Sequence, residues 1–218
     1  METERKLEDL AEKLKSGELT SKEIKEEMKK LGIKHATLRE TATGILLIGV
    51  AVISYLPIIA NHPNLGALKF IAQLPAIEFP FVMKVILVGL GIELLSVTFI
   101  MMVWASHLLS SKGGLGEGDE TIIFIREGPY KIVRHPITLG MMGLFGLPPL
   151  ILSGWFPYNI LTVVCQIIVF AGLPLEGRRE EETMNIEKWG DEYLRYQKEV
   201  PKFNFIKGLW NLRKGKQT

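Results

Sequence analysis

The chain has 218 residues, of which 47% are hydrophobic, with 26 Lys and Arg against 24 Asp and Glu and a positive mean hydropathy. A net charge of +2 with both signs intermixed offers no polyanion-binding surface, so nucleic acid is not an expected partner. A single cysteine, Cys165, excludes a disulfide within the chain, and the densely charged opening METERKLEDLAEKLKSGELTSKEIKEEMKK lacks the apolar core of a signal peptide.

Charged and apolar residues are segregated along the chain. Residues 1–40 predict a cytoplasmic pair of short helices. Leu7, Leu10, Ala11 and Leu14 form one stripe, Thr20 and Glu23 make a capping-box pattern ahead of Ile24, Met28 and Leu31, and Gly32 suits a helix end. A pair this short cannot bury a core alone, so its stripes should pack together or onto the rest of the protein. Residues 41–175 predict an all-α transmembrane domain. A bilayer core of roughly 30 Å takes about 20 apolar helical residues. The stretches 41–61 and 83–106 each fit one span, the second holding a lone carboxylate, Glu93. That residue reads either as a polar lining or as a hydrogen-bonded bundle residue. The forty uncharged residues 136–175 are too many for one span. Pro148, Pro149, Gly154 and Pro157 should break them into a hairpin, 136–153 and 157–175, turning near SGWFPYN. That makes about four spans, followed by a cytoplasmic C-terminal segment, 176–218.

With four spans, ten Lys/Arg at the N-terminus, four in 107–135 and ten in the C-terminal segment share one side, against Lys69 and Lys84 on the other. This asymmetry predicts a multi-pass membrane protein with both termini cytoplasmic. In the C-terminal segment Met184, Ile186, Trp189, Tyr193 and Tyr196 recur at helical spacing until Pro201 ends the pattern. Three carboxylates, Glu180–Glu182, precede them directly after Arg178 and Arg179. Read locally, they favour a solvated helix start. The tight cluster Lys131, Arg134 and His135 reads locally as a positive-inside anchor at the lip of the longest apolar stretch.

Taken together, these two segments resemble a family. Gly128-Pro129-Tyr130 followed by Arg134-His135-Pro136 is similar to the G-x-Y-x-x-x-R-H-P core of the membrane methyltransferases, a group that includes isoprenylcysteine carboxyl methyltransferase and the phospholipid N-methyltransferases. Glu181-Glu182 followed by Trp189-Gly190-Asp191-Glu192-Tyr193 and Tyr196 is similar to their C-terminal E-E…F-G-x-E-Y-x-x-Y motif, and Val200-Pro201 and Phe205–Gly208 continue the likeness. The resemblance covers about residues 107–208. It implies an S-adenosylmethionine-dependent methyltransferase acting on a lipid-like or prenylated acceptor, with the C-terminal helix completing the cofactor pocket. It implies cofactor contacts from the strand-like Ile122, Ile123, Phe124 and Ile125, from Tyr130, from His135, Pro136, Ile137 and Thr138, and from Glu181. Thr138 replaces the family's aromatic hydroxyl in H-P-x-Y. Gly177 stands where family members commonly place an arginine that contacts the acceptor, which leaves the neighbouring Arg178 and Arg179 as the candidate catalytic residues. An NADPH-dependent membrane reductase of the sterol reductase type, and a non-enzymatic protein on the same scaffold, are the alternatives.

Other signals are weaker. The glycines of SSKGGLGEGDE (110–120) lack the G-K-[ST] of a phosphate loop and read as a linker or lid. His62 and His107 have no metal-ligand spacing, and no metal is expected.

Overall fold

A computed structural model describes residues 2–33, 38–60, 64, 66–112 and 122–215. The glycine-rich 113–120 and His62 lie outside the described residues. Two compact units are formed, one from residues 1–41, 101–137 and 176–218, the other from 42–100 and 138–175.

In the first unit, α1 (Glu2–Ser16) and α2 (Ser21–Lys30) make the expected helical pair. The capping box is present. Glu23 N–H donates to Thr20 Oγ1 at 3.4 Å, and Thr20 N–H donates to Glu23 Oε2 at 2.8 Å. These bonds satisfy amides that the first helical turn cannot pair internally. Leu7, Leu10, Ala11, Ile24, Met28 and Ile33 form a buried cluster that Ile122 completes, with Ile123 against its edge. The pair therefore builds its core with a residue from the middle of the chain. Thr20→Ala is expected to destabilise α2 by about 1 kcal/mol. Faster amide hydrogen exchange at Glu23 and Ile24 would report it; unchanged protection there would contradict it.

Apolar helices dominate the second unit. α3 (Leu38–Ile53) and α4 (Leu56–Ala60) follow the first predicted span, interrupted at Ser54–Tyr55. Pro57 lies just beyond and cannot donate to a preceding carbonyl. The Ser54 carbonyl, at the interruption, accepts from Thr162 Oγ1 at 3.0 Å. A 3-10 turn (Gly66–Leu68), α5 (Lys69–Ala72) and β1 (Ala76–Ile77) lead into α6 (Phe81–Lys112), 32 residues long, with Glu93 on an exposed face. α7 (Pro136–Leu152) opens on Pro136 and runs unbroken through Pro148 and Pro149. Those prolines were expected to help break the stretch, and they do not. Gln166 Nε2 donates to the Gly146 carbonyl in the turn before them, and Tyr158 Oη–H donates to Gln166 Oε1. Side chains of this kind re-satisfy backbone groups that a proline leaves open inside an apolar helix. The chain then turns at Ser153–Trp155, and β2 (Tyr158–Asn159) pairs antiparallel with β1 before α8 (Ile160–Glu180).

Among the described residues, Ala42–Ala60, Phe81–Lys112 and Ile160–Glu180 are long and apolar enough to cross a membrane, and Pro136–Leu152 is a shorter apolar helix. Large apolar side chains on them are exposed, among them Ile45, Leu46, Phe81, Val82, Ile100 and Ile167. Exposure of that extent suits lipid rather than water.

The C-terminal segment departs from the single helix expected after residue 176. α8 continues to Glu180, a π-helical turn spans Glu181–Asn185, and α9 (Ile186–Glu199) follows, before α10 (Phe205–Arg213). Gly190 has φ +51°, so α9 is kinked at a residue that only glycine occupies without strain. Tyr193, Tyr196 and Val200 form a buried cluster with Phe124, Ile186 and Trp189 against it, which holds the predicted stripe except Met184, a residue of the π-helical turn. Val200 leaves the helix in extended geometry before Pro201, as expected.

Candidate functional site

The site is built on residues 122–137 and 176–203, all in the first unit. Ile122–Ile125 form no ladder but run as an irregular segment fixed by its side chains. Ile122 and Ile125 are buried, and the Phe124 ring stacks on Trp189 at 5.1 Å and meets Tyr196 edge-on at 5.3 Å. Arg126 follows and donates to Glu199 Oε2 at 2.6 Å. Gly128–Lys131 is a 3-10 turn that opens on Gly128 at φ +56°, a position where a Cβ would also lie 3.2 Å from the Trp104 ring. The Tyr130 carbonyl accepts from Tyr196 Oη–H at 2.6 Å. Arg134 N–H and His135 N–H donate to the carbonyls of Pro201 at 3.0 Å and Lys202 at 3.4 Å. The R-H-P run is thus laid beside the segment after α9, and Pro136 starts α7 from it.

Glu181, first residue of the π-helical turn, is the hub. It is 4% exposed. Its Oε1 accepts from Arg134 Nε at 2.7 Å, His135 Nε2 at 2.9 Å and Tyr193 Oη–H at 3.4 Å, while Oε2 lies 3.4 Å from Lys202 Nζ. Arg134 also donates through Nη1 to the carbonyls of Gln197 at 2.7 Å and Val200 at 2.6 Å, tying this carboxylate to the end of α9. Asn185, at the other end of the π-helical turn, donates to Glu180 Oε1 and lies against Tyr193 Oη, both at 3.2 Å. Single π-helical turns recur at functional sites, because one extra residue re-aims side chains that an α-helix would spread apart.

Electrostatics follow from the geometry. Burial opposes ionisation of Glu181, but the hydrogen bonds and charges of His135 and Arg134 outweigh it and hold the carboxyl at about 2. An ionised carboxylate only accepts, so His135 Nε2 carries a proton. Nδ1, across the ring, lies 3.7 Å from Glu180 Oε2, and the ring packs beside Phe203 at 5.8 Å. Burial and the Glu181 charge push the Tyr193 hydroxyl up, which keeps it a donor. Burial also pulls the Lys202 ammonium down, against the opposing pull of Glu181.

Of the residues named from the sequence, Tyr130, His135, Pro136, Glu181 and the 122–125 segment are brought together within this one unit. Ile137 is half-buried in the first turn of α7, and Thr138 follows it as the first residue of that helix in the second unit. Arg178 is not drawn into the cluster. Arg178 is exposed and donates to Glu182 Oε1 at 2.7 Å, and Arg179 faces Glu176 at 4.0 Å. Space beside Gly177 leads elsewhere: a Cβ there would lie 3.5 Å from Lys202 Cε and 3.6 Å from His135 Nδ1. Lys202 and Asn185 carried no site signal in the sequence, whereas Tyr193 stood there as the tyrosine of the C-terminal motif. Arg134 stood there too, as the R of R-H-P.

A 71-residue stretch of the chain is 37% identical to methanethiol S-methyltransferase 1 of Bradyrhizobium diazoefficiens, which covers 33% of this chain and 22% of that protein. The chain thus matches about a fifth of the length of that relative. No protein-family model matches the chain. No solved structure matches it. Among the described residues the regular structure is helical apart from one two-residue strand pair, three helices are long and apolar enough for a bilayer, and a third of the chain is similar to a methyltransferase.

Proposed function

We propose that this protein is a multi-pass membrane enzyme that binds S-adenosylmethionine at the Arg134–His135–Glu181 cluster and methylates a lipid-like or prenylated acceptor at the cytoplasmic membrane face. The observation that carries this reading is the buried, ionised Glu181 held by Arg134, His135 and Tyr193 at the end of an apolar helix.

The residues present fit the cofactor. It carries an ammonium, a carboxylate and a cationic sulfur, and the cluster offers matching groups of both signs. Glu181 Oε2, on the side away from the tight Oε1 bonds, and the half-exposed Glu180 face cations. His135 Nδ1 and the main chain of 122–125 and 135–138 offer neutral hydrogen-bonding positions. When bound, S-adenosylmethionine supplies an electrophilic methyl group for in-line displacement. The protein's own task is then alignment and exclusion of water. Arg134 and Glu181 hold the His135 ring in one orientation, and the Phe124–Trp189–Tyr193–Tyr196 aromatic cluster walls that side. Lys202, standing where a side chain from position 177 would project, is the cation best placed to meet an anionic acceptor. Arg178 and Arg179 would need to turn from Glu182 and Glu176 to take that role. Methyl transfer from labelled S-adenosylmethionine tests the reading, with a prenylated cysteine analogue and phosphatidylethanolamine as acceptors. Transfer to neither, with no label bound, would contradict it. A small thiol is the second acceptor reading, favoured by the similarity to a methanethiol S-methyltransferase, and methanethiol completes the acceptor set.

Topology is part of the proposal. Both termini and the 107–135 segment are assigned to the cytoplasm, from the Lys/Arg asymmetry. Asn64→Cys and Ser111→Cys, introduced separately without Cys165, are both at exposed positions. An impermeant thiol reagent applied to sealed vesicles is expected to label them from opposite sides. Labelling from the same side would contradict the four-span arrangement.

A further inference from the structure

α10 plays no part in the methyl-transfer reading, yet one of its faces is fixed and the other is open. Asn204 caps it, accepting from Lys207 N–H at 2.9 Å. On the inner face Gly208 is buried, a Cβ there would collide with the Ile132 carbonyl, and Asn211 Nδ2 donates to the Glu199 carbonyl at 3.1 Å. Those anchors leave the helix one way to face. The opposite side presents Ile206, Leu209 and Trp210, which are 70%, 50% and 56% exposed. Their i, i+3, i+4 spacing makes a single apolar stripe. Basic groups border it along one flank and at its C-terminal end. Arg213 extends the stripe by a turn, Lys207 and Lys214 border it, and Lys214 Nζ lies 4.7 Å from the Trp210 ring centroid. The sequence contains no Asp or Glu after Glu199, whereas Lys202, Lys207, Arg213, Lys214 and Lys216 all follow it.

We propose that α10 is a membrane-surface helix that lies in the headgroup layer, its Ile206–Leu209–Trp210 stripe in the acyl boundary and its basic border on anionic phospholipids. An amphipathic helix with an apolar face bordered by Lys and Arg is stabilised there by both burial and charge, and tryptophan favours that depth. The charge pattern also selects lipid over a second copy of the chain. Two such helices meeting face to face would oppose Arg213, Lys207 and Lys214 with one another and offer no carboxylate in return. The assignment is independent of the chemistry at Glu181 and requires only that the chain reside in a bilayer.

The test uses the full chain carrying Cys165→Ala and Leu209→Cys, with a nitroxide on the new cysteine, in nanodiscs. One set contains phosphatidylcholine alone and the other phosphatidylcholine with phosphatidylglycerol. Power saturation against oxygen and a water-soluble nickel complex reads the depth of the label, and a label at Lys29→Cys on α2 supplies the aqueous reference. The expected result is a Leu209 label inside the acyl boundary in the anionic discs, shifting toward water when Lys207→Glu and Lys214→Glu are added. Far-ultraviolet circular dichroism of that charge-reversed protein should match the parent. A Leu209 label as accessible to nickel as the Lys29 label in both lipids would overturn the proposal. So would a depth unmoved by charge reversal, or spin–spin broadening that shows a second copy on the stripe.

Discussion

His135→Lys is expected to fold and insert normally but to lose most S-adenosylmethionine binding, by roughly tenfold to a hundredfold or more, whereas Lys131→Arg is nearly silent. The estimate assumes two lost hydrogen bonds, each worth about 1–1.5 kcal/mol when neutral and more when one partner is charged. His135 is buried and already surrounded by cations. Arg134 lies on the same Glu181 oxygen, and Lys202 on the other. A lysine at position 135 would replace a planar ring, whose Nε2 lies on Glu181 and whose Nδ1 lies 3.7 Å from Glu180, by a flexible ammonium that can only donate. Lys131 is exposed on the outside of the 3-10 turn, where one cation replaces another. Calorimetry on the detergent-solubilised protein measures the affinities, and cysteine labelling in vesicles checks insertion. If the cluster were only an anchor, any cation at 135 would serve. Unchanged affinity in His135→Lys would restore that anchor role.

Glu181→Gln should have a comparable effect through a different route. It removes the negative charge on which Arg134, His135 and Lys202 converge and turns one of the two acceptor oxygens into a donor, and a charge-assisted hydrogen bond is worth on the order of 1.5–3 kcal/mol. It also takes the counter-charge from Arg134, which is only 11% exposed, the costly way to break a desolvated ion pair. Glu180→Gln should do less, because its carboxylate is partly solvated and its bond to Asn185 survives with an amide acceptor. Equal losses in the two variants would mean that the triplet acts as a diffuse acidic surface. The two variants also differ with pH. The folded state holds the Glu181 carboxyl at about 2, below its ordinary value of 4.5. The stability it contributes is therefore complete above 4.5 and is lost as pH falls through that value toward 2. Glu181→Gln should flatten the stability profile in this window, and Glu180→Gln should leave it.

Local signals were the ones the sequence carried well. The Thr20–Glu23 capping box, the Leu7–Leu14 stripe and the Met184–Tyr196 stripe depend on residues within a few turns of one another, and each appears as read except Met184, which falls in the π-helical turn. The apolar helices were legible because composition alone marks them. What failed to show was the effect of distant partners. Pro148 and Pro149 lie inside α7, which continues to Leu152, and a distant side chain, Gln166, bonds to the Gly146 carbonyl in the turn before them. The C-terminal segment read as one helix, since a π-helical turn at Glu181 and a left-handed Gly190 have no periodic signature. Nothing around Lys202 in the sequence distinguishes it from the other C-terminal lysines. Only the return of the chain after Pro201 lays it against Glu181 and beside Gly177. The motif residues His135 and Glu181 were named from a resemblance, and their direct bond at 2.9 Å is a product of the fold.

Binding of radiolabelled S-adenosylmethionine to the purified full-length protein, in competition with unlabelled S-adenosylmethionine or NADPH, tests the central claim most directly. Saturable binding that unlabelled S-adenosylmethionine displaces and NADPH does not, and that Glu181→Gln weakens, is the result predicted here. Saturable binding of NADPH with none of S-adenosylmethionine, or binding of neither, would contradict it.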